Sequence, residues 1–279
     1  MTTVMRRALL GVTIGAVALV GGCKKDSHED AVPFAFNPTF PSETDYPFVV
    51  KLVDHPSGLV VCGGVAIRDR WVLTAAHCVD QQGVLPKRIV PAGEGLMDGR
   101  SFTRFCHPHY ANGGSADSQH DVALLELTSD ADDLPAKWRD PVAVRALAAN
   151  EAVVSFGWGK PTVGTIQRTL PMPAASAAEC QSRYMHQVVQ PDQEICAGSA
   201  LSAPCRGDSG GPLFTVRRSG ATWSQEEDLL GVVSQADSDC MAVGPAIFAG
   251  LDADDRTQWL DKVIGGDPAI RDASAQACQ

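Results

Sequence analysis

Long apolar runs are scarce in this chain. The one near its start, ALLGVTIGAVALV at residues 8–20, has 13 residues, short of the roughly 20 that a membrane-spanning helix needs. Basic charge is scarce as well: 23 Lys and Arg stand against 33 Asp and Glu, a net −10, without an extended Lys/Arg run. That excludes the phosphate-directed electrostatics of a nucleic-acid binder. Aromatics are 6% and charged residues 20%, which excludes a coiled coil, and the 44% hydrophobic content excludes a disordered chain. What remains is a 279-residue, turn-rich globular protein with 26 Gly and 18 Pro. It is long enough to bury one large core or two small ones.

The first residues carry an address. Arg6 and Arg7 precede the apolar run, and Val20-Gly21-Gly22-Cys23 follows it. A charged start, a short apolar stretch and small residues at a cut site predict a secretory signal peptide over residues 1–22. Val-Gly-Gly-Cys resembles the bacterial lipobox, in which the cysteine is lipidated and becomes the new first residue. Cys23 is then the lipidation site, and the protein is anchored to the outer membrane or cell surface, or secreted after release. A cleaved signal with an incidental cysteine is the alternative. Residues 23–42 are polar and proline-bearing and read as a tether or propeptide. Setting Cys23 aside leaves eight of nine cysteines, an even number that favours disulfides in an oxidising envelope.

From Tyr46 onward the pattern changes to short apolar runs split by Gly, Pro or charge: PFVVKLV, GLVVCGGVAI, WVLTAA, DVALLEL, EAVVSFGWG, DLLGVVS and AIFAGL. Runs of this length predict an all-β, antiparallel domain. One helix is expected late, in DADDRTQWLDKVIG (252–265). Acids come first, Trp259, Leu260, Val263 and Ile264 recur at helical spacing, and Gly265-Gly266 stops it. The folded domain is expected over residues 43–266, with residues 267–279 as a loose tail holding Cys278.

Cleaving a peptide or ester bond with a serine requires a base beside the hydroxyl, a carboxylate orienting that base, and backbone donors for the oxyanion. WVLTAAHC (71–78) ends an apolar strand with His77, and HDVALLEL (120–127) opens another with Asp121. GDSGGP (207–212) sets Ser209 among glycines, where the N–H groups of Gly207 and Ser209 can point into one cavity. Singly, His77 beside Cys78 reads as a buried structural pair and Asp121 as a solvated strand-end acid. Together, in the order His, Asp, Ser, the motifs read otherwise. With YPFVV, CGGVAI, HPHY, GWG, ICAG, GVVS and GPAIF alongside, they resemble the chymotrypsin-like (trypsin-fold) serine proteases over residues 46–264.

That resemblance implies two packed six-stranded antiparallel β-barrels with a C-terminal helix. It also implies a serine endopeptidase acting on protein or peptide substrates through an acyl-enzyme, as a monomer and without a cofactor. His77 becomes the general base, Asp121 its orienting acid and Ser209 the nucleophile, with the Gly207 and Ser209 amides as oxyanion hole. Ser234 lines the substrate-binding strand, and Asp208 receives the new α-amino group after activation cleavage. The resemblance pairs Cys62 with Cys78, Cys180 with Cys196 and Cys205 with Cys240, which leaves Cys106 and Cys278 as the remaining couple. Arg206-Gly207-Asp208, which could otherwise be an adhesion ligand, is absorbed into the oxyanion turn.

Two segments also read as metal sites. Cys106-His107-Pro108-His109 offers ligands, but the family carries a loop of this type without metal. PAGEGLMDGR (91–100) sits where relatives bind calcium, with only two acids. No metal is expected at either.

Departures from the family pattern bear on specificity. Six residues ahead of the nucleophile, where trypsin-like members carry an acid for Lys or Arg, stands Ala203. Ala236 and Ala246 occupy wall positions that are commonly glycine, so each methyl narrows the slot. Small or medium aliphatic residues are the expected preference, with Leu or Phe second. Gln235 replaces an aromatic that commonly floors the groove. Family zymogens are cut ahead of an Ile-Val-Gly-Gly start, and counting back from Pro47 reaches Phe36-Asn37-Pro38-Thr39 instead. An unusual terminus, another activating contact or a permanent zymogen all fit that difference. The competing function is a catalytically silent trypsin-fold binding module on the cell surface.

Overall fold

The computed structural model describes residues 39–80, 85–96, 99–110, 119–128, 134–159, 165–184, 189–237 and 244–279. The expected signal segment, Cys23 and Cys240 lie outside them. The first half forms β1 (Val49–Val53), β2 (Val60–Arg68), β3 (Trp71–Thr74), β4 (Arg88–Pro91), β5 (Phe102–Cys106) and β6 (Ala123–Leu127). They pair antiparallel in the order β4-β1-β2-β3-β6-β5. The second half forms β7 (Glu151–Gly157), β8 (Gln167–Arg168), β9 (Glu194–Ala197), β10 (Pro212–Ser219), β11 (Thr222–Trp223), β12 (Leu229–Gln235) and β13 (Ala246–Gly250). Their order is β8-β7-β10-β12-β13-β9, with β11 folded back on the end of β10. The predicted two-part β architecture is present, with one short strand added to the second sheet. β1, β3, β9 and β13 are buried at every residue, which is why β3 and β13 read as apolar runs rather than alternating ones, while β1 also buries Lys51 against Glu43.

The few aromatics gather where the sheets meet. Phe48, just ahead of β1, and Trp138, hydrogen-bonded to β2 through Ala66, face Phe214 of β10 at 5.9 and 4.8 Å. Tyr46 meets Phe156 of β7 at 4.6 Å. Phe156 and Phe214 are fully buried, so truncating either to Ala would cost about 3–5 kcal/mol. This seam positions the loops described below.

A helix the periodicity does not announce, α1 (Ala177–Arg183), starts from a capping box in which Ser176 and Glu179 satisfy each other's backbone amides. The helix expected at 252–265 appears as α2 (Ala253–Asp255), a wider π-type turn over Arg256–Leu260 and α3 (Asp261–Gly265). Trp259, Leu260 and Val263 are buried as their spacing requires. The loose tail expected at 267–279 is corrected. Asp267 caps α4 (Pro268–Ala277), which begins with proline at its first turn. Tertiary bonds hold this helix to β5, β6 and the preceding turn: Cys278 is bridged to Cys106, Trp259 Nε1 donates to Ser274 at 3.0 Å, and Arg271 pairs with Glu126 and lies over Phe105. Bridges also join Cys62 to Cys78 and Cys180 to Cys196, and Cys205 is disulfide-bonded. Among the described residues no helix is long and apolar enough to cross a membrane.

Candidate active site

Strand register brings the first two candidates together. Thr74 at the end of β3 is paired with Ala123 at the start of β6. Running on from Thr74 and back from Ala123 leads to the same edge of the sheet, with His77 on one side and Asp121 on the other. His77 sits in a single 3-10 turn, Ala76–Cys78, and the Cys62–Cys78 bridge ties that turn to β2. Asp121 is 3% exposed and holds the histidine twice. Its Oδ1 accepts the His77 backbone N–H at 2.9 Å, and its Oδ2 meets Nδ1 at 2.7 Å. A carboxylate there fixes the tautomer with the proton on Nδ1 and leaves Nε2 as the base.

Ser234, expected to line the substrate strand, adds a role that sequence alone did not show. Its Oγ–H donates to Asp121 Oδ2 at 2.6 Å, so the carboxylate is oriented by two side chains from two sheets. Burial, the largest influence on the His77 ring, pulls its pKa down. The charge and hydrogen bond of Asp121, helped by the charge of Asp80, outweigh it and set the pKa above the ordinary histidine value.

The second sheet delivers Ser209. Pro212 of β10 pairs with Val232 of β12, so Ser209 and Ser234 leave the sheet at the same end. Three bonds stitch the turn in place: Gly210 N–H to Val233 O at 2.8 Å, Gly211 N–H to Asp208 O at 2.8 Å, and Gly63 N–H of β2 to Ser209 O at 2.7 Å. The last crosses the seam one residue from Cys62, so it locks the Ser209 turn to the histidine side. Gly210 is required there. Its φ is +75°, and a Cβ would stand 2.4 Å from Gly63 O. Asp208 and Gly211 spend their amides on the turn, whereas those of Gly207 and Ser209 make no backbone bond among the described residues. Gly207 has φ +102°, a conformation that suits glycine and frees the following peptides. The two expected oxyanion donors are therefore unengaged among the described residues. Ser209 Oγ has no hydrogen-bond partner among the described residues, and the His77 ring meets Asp121 and, at 3.8 Å from Nε2, the Cys78 sulfur.

Asp208 turns inward and is fully buried. Oδ1 accepts from Gly159 N at 2.9 Å and Oδ2 from Cys205 N at 2.7 Å. Desolvation raises its pKa well above the usual carboxylate value, and the two amides only partly offset that. No ammonium or guanidinium faces it among the described residues. The neighbouring Trp158 donates its indole N–H to Glu43 at 2.7 Å, and Glu43 also takes Lys51 Nζ and Gly93 N, each at 2.9 Å. Glu43 thus fastens the incoming chain beside the Asp208 cage, and it occupies the Lys51 charge.

The pocket residues are less closely gathered. Ala203 and Ala246 are buried, at 8% and 1% exposure. Ala236 and Ala246 pack on one apolar cluster with Val233 and Phe248. The rim is braced by Arg183 on Asp237 and by Tyr184 OH on Pro245 O at 3.2 Å. In the loop considered for calcium, Arg100 grips both oxygens of Glu94, at 2.6 and 3.2 Å, so that carboxylate already has a cation.

A family model described as Trypsin matches residues 39–254. Over 172 residues the chain is 33% identical to kallikrein-8 of Mus musculus, covering 55% of this chain and 62% of that protein's length. The solved structure of neuropsin, a serine protease expressed in the limbic system of mouse brain, aligns with a TM-score of 0.63 at 23% identity. That alignment covers 82% of this chain and 99% of the other, and the likeness is one of fold.

Proposed function

Because the chain belongs to the trypsin family, we propose that it is a serine endopeptidase that cleaves peptide bonds through an acyl-enzyme on Ser209. The carrying observation is that Asp121, bound to His77 and Ser234, lies on the same seam as a glycine turn with two unengaged amides. In the reaction Ser209 Oγ attacks the carbonyl carbon while its proton passes to His77 Nε2. The developing oxyanion lies toward the Gly207 and Ser209 N–H groups, each worth about 10²–10³ in rate. His77 then gives the proton to the leaving amine, and water, activated by the same ring, releases the acid. Asp121 stabilises the imidazolium without taking its proton.

Ala203 at the pocket base offers no charge to a Lys or Arg side chain, and Ala236 and Ala246 narrow the walls. The preferred residue before the cut is small or medium aliphatic. The signal-like start and Cys23 support an extracytoplasmic, lipid-anchored enzyme. The test is covalent labelling by a fluorophosphonate. Labelling of the intact chain is expected at Ser209 and is abolished by Ser209→Ala, with peptide turnover falling by about 10⁶-fold. A second reading, a binding module of this fold without turnover, draws on the unpaired Asp208. Absent labelling after the tether is trimmed would select it.

A further inference from the structure

Three of the seven histidines meet at the turn that leads through His120 into Asp121. His107 and His109 follow β5, and His120 immediately precedes Asp121. Pairing of Cys106 with Ala123 in the β5–β6 hairpin brings the two segments together across eleven residues of sequence separation. One ring nitrogen from each histidine lies within 4.8 Å of the others. His107 and His120 are stacked, with centroids 4.5 Å apart and 13° between planes, and His109 stands edge-on to both at 5.3 and 5.2 Å.

The hydrogen bonding of this cluster is incomplete. His107 Nε2 meets Asp255 Oδ1 at 3.0 Å, while its Nδ1 accepts the His109 backbone N–H at a long 3.3 Å. The proton is therefore on Nε2, and Nδ1 is the basic nitrogen. Asp255 reaches His120 only at 3.9 Å. The rings of His109 and His120 make no hydrogen bond among the described residues. One carboxylate thus hydrogen-bonds one ring, and the other two imidazoles converge on it with a nitrogen of each within 4.8 Å. Three imidazoles, one backed by a carboxylate, match what borderline transition metals select, and a carboxylate holding the far N–H of a ligand histidine is the usual outer partner. The other mixed cluster, Cys62, His77 and Cys78, offers no thiolate because its sulfurs form a disulfide.

We propose that His107, His109 and His120 bind one divalent transition-metal ion of the zinc class, and that its binding displaces Asp121 from its working position. At Zn–N distances of about 2.0–2.1 Å, tetrahedral ligand nitrogens stand roughly 3.4 Å apart, so the cluster has to close by rotation. Stacked rings aim their in-plane lone pairs in parallel, and an ion must open the stack. His107 is pinned by Asp255, by the His109 amide and by the edge of Trp259 at 4.9 Å. The moving partner is His120. It holds a left-handed φ of +56°, and its carbonyl accepts Val122 N–H at 2.7 Å in a tight turn around Asp121. Moving that ring pulls directly on the carboxylate that holds His77. The binding claim is independent of the protease reading, whereas inhibition rests on it.

The test titrates zinc alone into the full chain by calorimetry. One ion per chain is expected, with magnesium and calcium leaving that binding unaltered. His109→Ala removes an exposed ligand, and His120→Asn keeps a residue that tolerates positive φ. Each is expected to weaken zinc at least tenfold, and Asp255→Asn by about 10–100-fold. Failure to bind one zinc, or affinity unchanged in both histidine variants, overturns the site. Coupling is read by the NMR resonance of the His77 Nδ1 proton, which shifts on zinc addition in the wild type and requires a far higher zinc concentration in His109→Ala. A resonance unmoved at saturating zinc overturns the coupling, whether or not the chain turns over. Reversible, chelator-relieved loss of peptide cleavage is the corresponding kinetic outcome, and a chain with no turnover at all fails the protease reading alone.

Discussion

The imidazole of His77, carried by the first sheet, rests on a carboxylate that is itself held by Ser234, whereas Asp208, in the turn before β10, is held among the described residues by two backbone amides. Both are buried acids beside the same seam, and their surroundings differ. Asp121 has an adjacent base to share charge with. Asp208 has none among the described residues, and burial pushes it toward the protonated form. The difference teaches that the two halves of the site reach readiness by different routes. Strand register, the Cys62–Cys78 bridge and the bond from Ser234 together hold His77 and Asp121 in place. The Ser209 turn is built on a carboxyl whose burial favours its protonated form, offset only in part by the amides of Cys205 and Gly159.

Four substitutions break or sharpen that contrast. The largest effect is expected from Asp121→Asn, which favours the wrong His77 tautomer and should lower kcat by roughly 10⁴-fold with the fold intact, measured with a peptide substrate. Ser234→Ala removes one of two side-chain holds on the same carboxylate, and about a tenfold loss in kcat is expected for a hydrogen bond to a charged group. An unchanged rate would make Ser234 a groove residue only.

On the other side of the comparison, folding raises the Asp208 pKa. The native chain then binds more protons than the unfolded chain between the ordinary carboxylate value and the raised one, so stability falls as pH rises through that window. Melting curves from acid to neutral pH should show this slope, and Asp208→Asn, with no proton to lose, should flatten it. The smallest effect is expected from Asp80→Asn. Asp80 is among the charges that raise the His77 pKa, so the acid limb of kcat/KM, which lies above the ordinary histidine value, should move to lower pH.

The acid–base half was legible in sequence because its residues sit inside strand-end motifs, TAAHC and HDVALLEL, whose apolar runs are the buried strands that align them. The oxyanion turn was legible because only glycine fits where Gly210 meets Gly63. Ser234's bond to Asp121 spans 113 residues and leaves no local trace. Short strands such as β4 and β8 offer too few residues for a pattern. The helix α1 buries only Cys180 and has no apolar stripe, although its Ser-x-x-Glu capping box was there to be read. The helix α4 was missed for the same reason, and its Asp-Pro start was the available signal. The histidine cluster required pairing β5 with β6 before three scattered rings could be seen as neighbours.

The segments flanking the two sheets are exchanged between them. Thr39, ahead of the first sheet, is laddered to Arg168 in the second, and Cys278, beyond the second, is bonded to Cys106 in the first. A single cut in the connection from β6 to β7 would therefore release nothing. Both pieces would remain one covalent molecule through the Cys106–Cys278 bridge, each still clasping the other by its own arm. Backbone damage at that connection would be a scar and not a severance.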